Sequence, residues 1–141
     1  MHDVFITHDW RRNADRDRVI LFLDSQFHLD WRNFGTPWYD PAVEISSPDG
    51  SAFVAERLEE QVVPARVVVL VPEIYMGSRR GNKWVGLAVE YSRRDKKPIV
   101  GVLPANGSEL PAEVRTLADV WVPLEALATA IEKTLSGAKP A

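Results

Sequence analysis

Three segments of the chain carry side chains of the types that bind a nucleotide. They contain His8, Asp9 and Trp10; Asn33, Phe34 and Trp38; and Tyr75, Arg79, Arg80, Asn82 and Trp84. Aromatic faces stack on planar bases, and a carboxylate can hold ribose hydroxyls and stabilise developing positive charge. Basic side chains and backbone N–H groups bind phosphates. The sequence therefore offers the groups that a nucleotide site needs, provided that the fold brings the three segments together.

Two apolar runs, at residues 67–71 and 99–103, predict where the third segment lies. Short runs of β-branched residues bounded by turn signals are typical of buried strands. A helical pattern at residues 83–94 lies between them, and a strand–helix–strand unit implies a parallel sheet. Ligands on such sheets collect at the carboxyl ends of the strands. Tyr75, Asn82 and Trp84 follow the first of these strands, so they are expected at that edge.

The rest of the chain continues this alternation. The pattern predicts a strand at 4–7, a helix at 15–27, an aromatic and proline-rich irregular stretch at 28–50, a helix at 51–63 with Ser51 as N-cap, a turn at 107–111, a strand at 120–122 and a helix at 124–135. Together these elements predict a flavodoxin-like, three-layer α/β domain over residues 1–135. It has a parallel sheet of four or five strands and helices on both faces, followed by a frayed tail at 136–141.

Composition limits the class of protein. A chain of 141 residues, of which 45% are hydrophobic, is long enough for one domain with its own core. The net charge of −3 gives no reason to expect nucleic acid or an anionic membrane as a partner. The absence of cysteine excludes disulfides and is compatible with a cytoplasmic location. The three histidines lack metal-ligand spacing, and neither a signal peptide nor a transmembrane run is expected.

Several motifs resemble those of TIR and TIR-like domains. VFITH at 4–8 is similar to the opening strand of these domains, and NF at 33–34, followed by Pro37 and Asp40-Pro41, resembles the loop after their first helix. KWV at 83–85 and KPIVGV at 97–102 resemble the bacterial TIR-like segment W-V…G-K-P-I-I-G-V, and Ala118-Asp119 and Ile131 fit the final strand and helix. The resemblance covers essentially the whole chain and is closest to the small TIR proteins of Thoeris-type anti-phage defence.

This resemblance implies an enzyme that consumes NAD as a substrate rather than holding it as a cofactor. Its expected product is a cyclic or modified ADP-ribose messenger that diffuses to a separate effector protein, and a phage-derived trigger is expected to activate it. Self-association into a homo-oligomer is compatible with the family. The nine residues His8, Asp9, Trp10, Asn33, Phe34, Trp38, Tyr75, Asn82 and Trp84 are the expected contacts to substrate.

The chain departs from the family at the catalytic residue. TIR enzymes carry a catalytic Glu four residues after the Trp, and that position is Ala88 here. Counting back ten residues from Pro98 gives the same position. At about 100° per residue, position 88 lies about 40° from Trp84, whereas Glu90 lies about 200° from position 88. Glu90 therefore points away from the face that Trp84 and position 88 share.

Two interpretations of Ala88 remain. In one, Ala88 is an engineered replacement of Glu that inactivates an NAD-cleaving enzyme. The retained ligand-site residues favour this interpretation. In the other, Ala88 is natural and the chain is an inactive TIR-like scaffold that acts by protein–protein assembly. Single residues also have structural alternatives: Trp84 can be a packing residue, Arg79-Arg80 a solvated pair, and the basic run at 93–97 a set of helix C-terminal contacts. A receiver domain fits less well, because only Asp9 stands where an acidic pair would bind magnesium.

Overall fold

The structure, a computed structural model, describes residues 2–7, 14–26, 29–33, 48–71, 79–104, 107 and 109–136. The described residues form one five-stranded sheet, whose strands are β1 (His2–Ile6), β2 (Trp31–Asn33), β3 (Val67–Leu70), β4 (Ile99–Val102) and β5 (Val120–Val122). All four pairings are parallel, and the spatial order is β2-β1-β3-β4-β5. This is the strand order of flavodoxin-like folds, and it confirms the predicted fold class.

The helices form the outer layers of the domain. They are α1 (Ala14–Ser25), α2 (Pro48–Val62), α3 (Arg79–Arg94), α4 (Ala112–Arg115) and α5 (Leu127–Leu135), with a 3₁₀ turn at Leu124–Ala126. Right-handed crossovers with this strand order place α1 and α5 on one face and α2 and α3 on the other. The packing agrees, because α2 contacts α3, while α1 and α5 both contact the 3₁₀ turn. Helices therefore cover both faces of the sheet, as predicted.

The two central strands explain why the apolar runs are continuous rather than alternating. Every residue of β3 and β4 is buried, since each strand has a neighbour on either side and helices above and below.

Gly101 in β4 is restricted further by a side chain of the neighbouring strand β5. A Cβ atom added at Gly101 would lie 2.3 Å from Cε3 of Trp121, and the Trp121 indole is held by an Nε1–H bond to the Arg115 carbonyl at 3.0 Å.

The basic run at the C-terminal end of α3 has the structural role that the sequence indicated. Arg93 donates to the Thr116 carbonyl, and Arg94 forms ion pairs with Glu59 and Asp95. The Lys97 ammonium donates to two carbonyls just beyond the end of α2, those of Val63 and Ala65, at 2.9 and 2.6 Å. The Arg94–Glu59 ion pair joins α3 to α2, the Arg93 bond joins α3 to the end of α4, and Lys97 holds the segment that follows α2.

Several boundaries differ from the predicted ones. β2 lies inside the stretch predicted to be irregular, and it was missed because three residues at a sheet edge give no periodic signal. α2 begins at Pro48 rather than after Ser51, since proline is well suited to a first helical turn. α3 begins at Arg79, four residues before the predicted start. The single-turn α4 after the predicted turn at 107–111 was also missed.

Some predictions fall outside the described residues, among them the frayed tail after residue 136 and most of the irregular stretch. In the part of the chain that the structure describes, no helix is long and apolar enough to cross a membrane.

Candidate functional site

The carboxyl ends of β1 and β3 are joined by Thr7, which lies just beyond β1. Its side chain is fully buried. The Thr7 N–H donates to the Val69 carbonyl at 3.0 Å, and its hydroxyl oxygen accepts a hydrogen bond from the Val71 N–H at 2.9 Å. β1 and β3 are the strands between which the strand order reverses, and ligands of open α/β sheets bind at this switch point. Thr7 therefore holds together the two strand ends at which a ligand site is expected.

The described residues bring some of the predicted site residues to this edge. Asn33 is the last residue of β2, beside β1, and Asn82 lies in the first turn of α3, the helix that follows β3. Only the backbone of these two residues is described, as is also true of Arg79 and Arg80. The remaining candidates lie outside the described residues, so their assignment to the site stays a prediction: His8, Asp9, Trp10, Phe34, Trp38 and Tyr75.

Trp84 and Ala88 both lie on the inward face of α3. Their side chains are 2% and 1% exposed, whereas Glu90 is exposed to solvent. This is the arrangement that the helical spacing predicts. The Trp84 indole is among the largest fully buried or nearly buried groups of the core, so packing is one of its roles. Contact with a ligand stays a prediction and would involve only the small exposed part of the ring.

Position 88 is closely surrounded. The Ala88 carbonyl accepts a hydrogen bond from the buried Ser92 hydroxyl at 2.7 Å, and Val85 and Val89 beside it are buried. Side chains on a helix tilt toward its N-terminus, and the N-terminus of α3 lies at the carboxyl edge of the sheet because α3 follows β3. A longer side chain at position 88 would therefore extend past the turn of Trp84 toward the candidate site.

A buried cation near the start of α1 was not singled out from the sequence. Arg16 is only 5% exposed. Burial lowers the pKa of its guanidinium, and the neighbouring charge of Asp17 partly opposes this shift. The helical spacing could have indicated its burial. Arg16 lies three residues before Val19 and seven before Leu23, which places it on the same face of α1 as these two buried residues. A cation in such an apolar register is uncommon unless it is paired.

No metal centre emerges from the described ranges. They contain no group of three or more histidine, cysteine, aspartate or glutamate side chains that could hold a metal ion.

Comparison with known proteins returns no match to a protein-family model and none to a curated protein. The flavodoxin-like strand order is shared by proteins of many functions. The TIR-like resemblance therefore depends on the sequence motifs and their order along the chain.

Proposed function

We propose that the chain is a TIR-like domain whose ligand is NAD or an ADP-ribose-type nucleotide, bound at the carboxyl ends of β1 and β3. In this proposal its active form cleaves NAD in anti-phage defence, and Ala88 occupies the catalytic position. The observation that supports the proposal most directly is the shared inward face of Trp84 and Ala88 on α3, with Glu90 exposed. This matches the spacing of aromatic and carboxylate residues in the family.

The chemistry accounts for a carboxylate at position 88. Cleavage of the nicotinamide–ribose bond passes through an oxocarbenium-like transition state, as in glycoside hydrolysis. A glutamate there would hold a ribose hydroxyl and stabilise the positive charge that develops on the sugar. Burial raises the pKa of a carboxyl group, whereas a nearby positive charge lowers it. A carboxylate at this buried position is thus best tolerated when the positively charged nicotinamide ring of the substrate lies close to it.

The other proposed roles concern binding. His8, Asp9 and Trp10 come after β1 in the sequence, Asn33 ends β2 and Phe34 is the next residue along the chain. Trp38, Tyr75, Asn82 and Trp84 complete the proposed set of substrate contacts. The product would be a diffusible nucleotide messenger for a separate effector protein in the cytoplasm, and a phage-derived factor would act as the trigger.

The decisive experiment is Ala88→Glu, with Ala88→Gln as a matched control of nearly equal volume and no charge. Nicotinamide release should be about 10²- to 10³-fold faster in the Glu variant than in the Gln variant, the typical value of one electrostatic stabiliser. Both proteins should be assayed with and without lysate of infected cells, which supplies a trigger. Thermal melts of both variants show whether the larger side chain is accommodated in the folded protein.

Glu90 provides the internal control. In the Ala88→Glu background, Glu90→Gln should leave nicotinamide release largely unchanged, because position 90 faces solvent. If the Ala88 protein already cleaves NAD and loses this activity on Glu90→Gln, the catalytic register is displaced by two residues. If the Ala88→Glu protein is folded but releases no nicotinamide either with or without the lysate, the enzymatic proposal is contradicted.

The second candidate function is an inactive TIR-like scaffold. Ala88 itself favours it, because its methyl group is buried and Val85 and Val89 beside it on the helix are buried as well. In this case assembly with other protein chains would carry the signal. The two functions differ in whether the protein itself must reach the effector.

A further inference from the structure

A cavity lies at the carboxyl ends of β4 and β5, away from the switch point between β1 and β3. Its volume is about 330 Å³. It is lined by Arg18, Leu103, Pro104, Pro123, Leu124 and Glu125. The lining residues come from three separate parts of the chain: α1, the segment after β4, and the 3₁₀ turn with the proline before it. The cavity is therefore formed by the tertiary fold and not by a single loop.

The walls of this cavity carry opposite charges. Arg18, which is half-buried, contributes a guanidinium to the lining, and the exposed Glu125 contributes a carboxylate. A guanidinium presents a planar fork of N–H donors that matches a carboxylate, whereas a carboxylate accepts hydrogen bonds from an ammonium group. A ligand that carries both a carboxylate and an ammonium group can therefore use both of these side chains.

The rest of the lining is apolar and conformationally restricted. Leu103 is one of the exposed large hydrophobic residues of the described chain, at 38%, and Leu124 lies on the same cavity. Pro104 is buried, and Pro123 has the extended backbone that precedes the 3₁₀ turn. The ring of proline fixes the backbone angle φ. The two segments that contain Pro104 and Pro123 are therefore restricted to the conformation that lines the cavity.

The size of the cavity limits what it can hold. A volume of about 330 Å³ is near the lower end of the range of small-molecule sites, roughly 300–1,000 Å³. Such a volume suits a single small metabolite better than a dinucleotide. Its position also fits a ligand site, because ligands of open α/β sheets bind outside the carboxyl ends of the strands.

We propose that this cavity binds a small zwitterion of the α-amino-acid class with an apolar side chain. Its carboxylate pairs with Arg18, its ammonium group pairs with Glu125, and its side chain contacts Leu103 and Leu124. The inference does not rest on the NAD chemistry, since none of these residues belongs to the site proposed for the nucleotide. Its failure would leave that proposal intact.

The test uses calorimetric titration of the whole chain with free valine, leucine and phenylalanine. The amide and the N-acetyl derivative of whichever amino acid binds are the probes for each charge. The free amino acid should bind at least tenfold more tightly than the amide, which lacks the carboxylate, and than the N-acetyl form, which lacks the ammonium. Absence of binding by all three amino acids, or equal binding of the blocked forms, overturns the proposal.

Substitutions then test whether Arg18 binds the carboxylate of the ligand and Glu125 its ammonium group. Arg18→Met and Glu125→Gln should each weaken binding of the free amino acid at least tenfold, while Arg18→Lys, which keeps the charge, should weaken it less than Arg18→Met does. Arg57→Met and Glu60→Gln on α2 are matched controls that should leave binding unchanged, because Arg57 and Glu60 pair with each other on the opposite face. Thermal melts without ligand establish that each variant is folded.

Ribose 5-phosphate is the competing probe. It carries an anion for Arg18 but only hydroxyl groups for Glu125, and an amide at position 125 could still accept from hydroxyls. Ribose 5-phosphate that binds the wild-type chain, loses affinity with Arg18→Met and keeps it with Glu125→Gln would assign the cavity to a sugar phosphate and overturn the zwitterion.

Discussion

Ala88 and Glu90 lie two residues apart on α3 and occupy opposite environments. Ala88 is 1% exposed and shares its face with Trp84, whereas Glu90 is exposed. A rotation of about 100° per residue is sufficient to explain this difference. The chain therefore carries its nearest carboxylate on the wrong side of the helix for the proposed chemistry, and a substitution at position 88 would supply one on the inward side.

Gly101 is a residue whose identity is set by a single neighbour. Gly101→Ala should lower the free energy of unfolding by about 1–3 kcal/mol, the usual cost of overpacking a core. The reason is the 2.3 Å separation between the added Cβ and Cε3 of Trp121, an indole that its hydrogen bond to Arg115 keeps in place. Urea denaturation monitored by circular dichroism measures the change in the free energy of unfolding.

Gly86 in α3 is the matched control for this prediction. A Cβ added there meets no atom within 4 Å, and glycine within a helix is destabilising by roughly 0.5–1 kcal/mol relative to alanine. Gly86→Ala should therefore raise the free energy of unfolding by about that amount. Opposite signs for the two substitutions would separate steric overlap from backbone entropy, whereas stabilisation by both would show that Trp121 moves aside freely.

At the scale of the element, α3 ends in a motif that normally uses glycine. The Lys97 N–H bonds to the Ser92 carbonyl at 2.8 Å and the Lys96 N–H to the Arg93 carbonyl at 3.1 Å. These two bonds form a Schellman motif, whose C′ residue is left-handed. Lys96 occupies that position with φ of 56°, a conformation that an L-residue with a Cβ adopts at a cost.

Lys96→Gly should therefore stabilise the protein, by about 0.5–1 kcal/mol in the free energy of unfolding. Lys96→Ala separates the two properties of the side chain, because it removes the charge but keeps the Cβ atom. Chemical denaturation of both variants provides the measurement. Stabilisation by alanine as large as that by glycine would attribute the effect to charge rather than to backbone conformation.

The elements differ in how well the sequence predicts them, for physical reasons. β3 and β4 could be placed to within one residue, since strands buried on both faces require continuous apolar runs. β2 could not, because its Trp31, Arg32 and Asn33 form no pattern and their extended backbone is supported by pairing with β1. The inward face of α3 followed from helical periodicity, whereas the burial of Arg16 depends on packing that the sequence does not specify.

At the scale of the whole molecule, the parallel sheet concentrates chemistry on one edge. All five strands of the described chain point the same way, so the segment after each strand emerges at the same side. Thr7 joins β1 to β3 there, and the cavity between Arg18 and Glu125 lies at the ends of β4 and β5. The candidate nucleotide site and the proposed amino-acid site thus share an edge but use different strands.

The proposed enzyme and the alternative scaffold differ in whether small molecules from the cell can activate the effector without the protein. If Ala88→Glu restores NAD cleavage, small molecules from infected cells that express this variant should activate the separate effector after every protein has been removed by filtration. The reason is that the product is a diffusible nucleotide, so that no stable complex between the chain and the effector is needed. The measurement is effector activity after addition of the filtrate.

Filtrate from infected cells that express Ala88→Gln is the matched control and should be inactive, because that side chain has similar volume but no charge to stabilise the oxocarbenium-like transition state. Treating the active filtrate with a phosphodiesterase that cleaves pyrophosphate bonds should abolish its effect if the messenger keeps an ADP-ribose skeleton. If the filtrate fails while the purified chain with Ala88 activates the effector on contact, the signal passes through protein assembly. The buried alanine would then be the native residue of a scaffold.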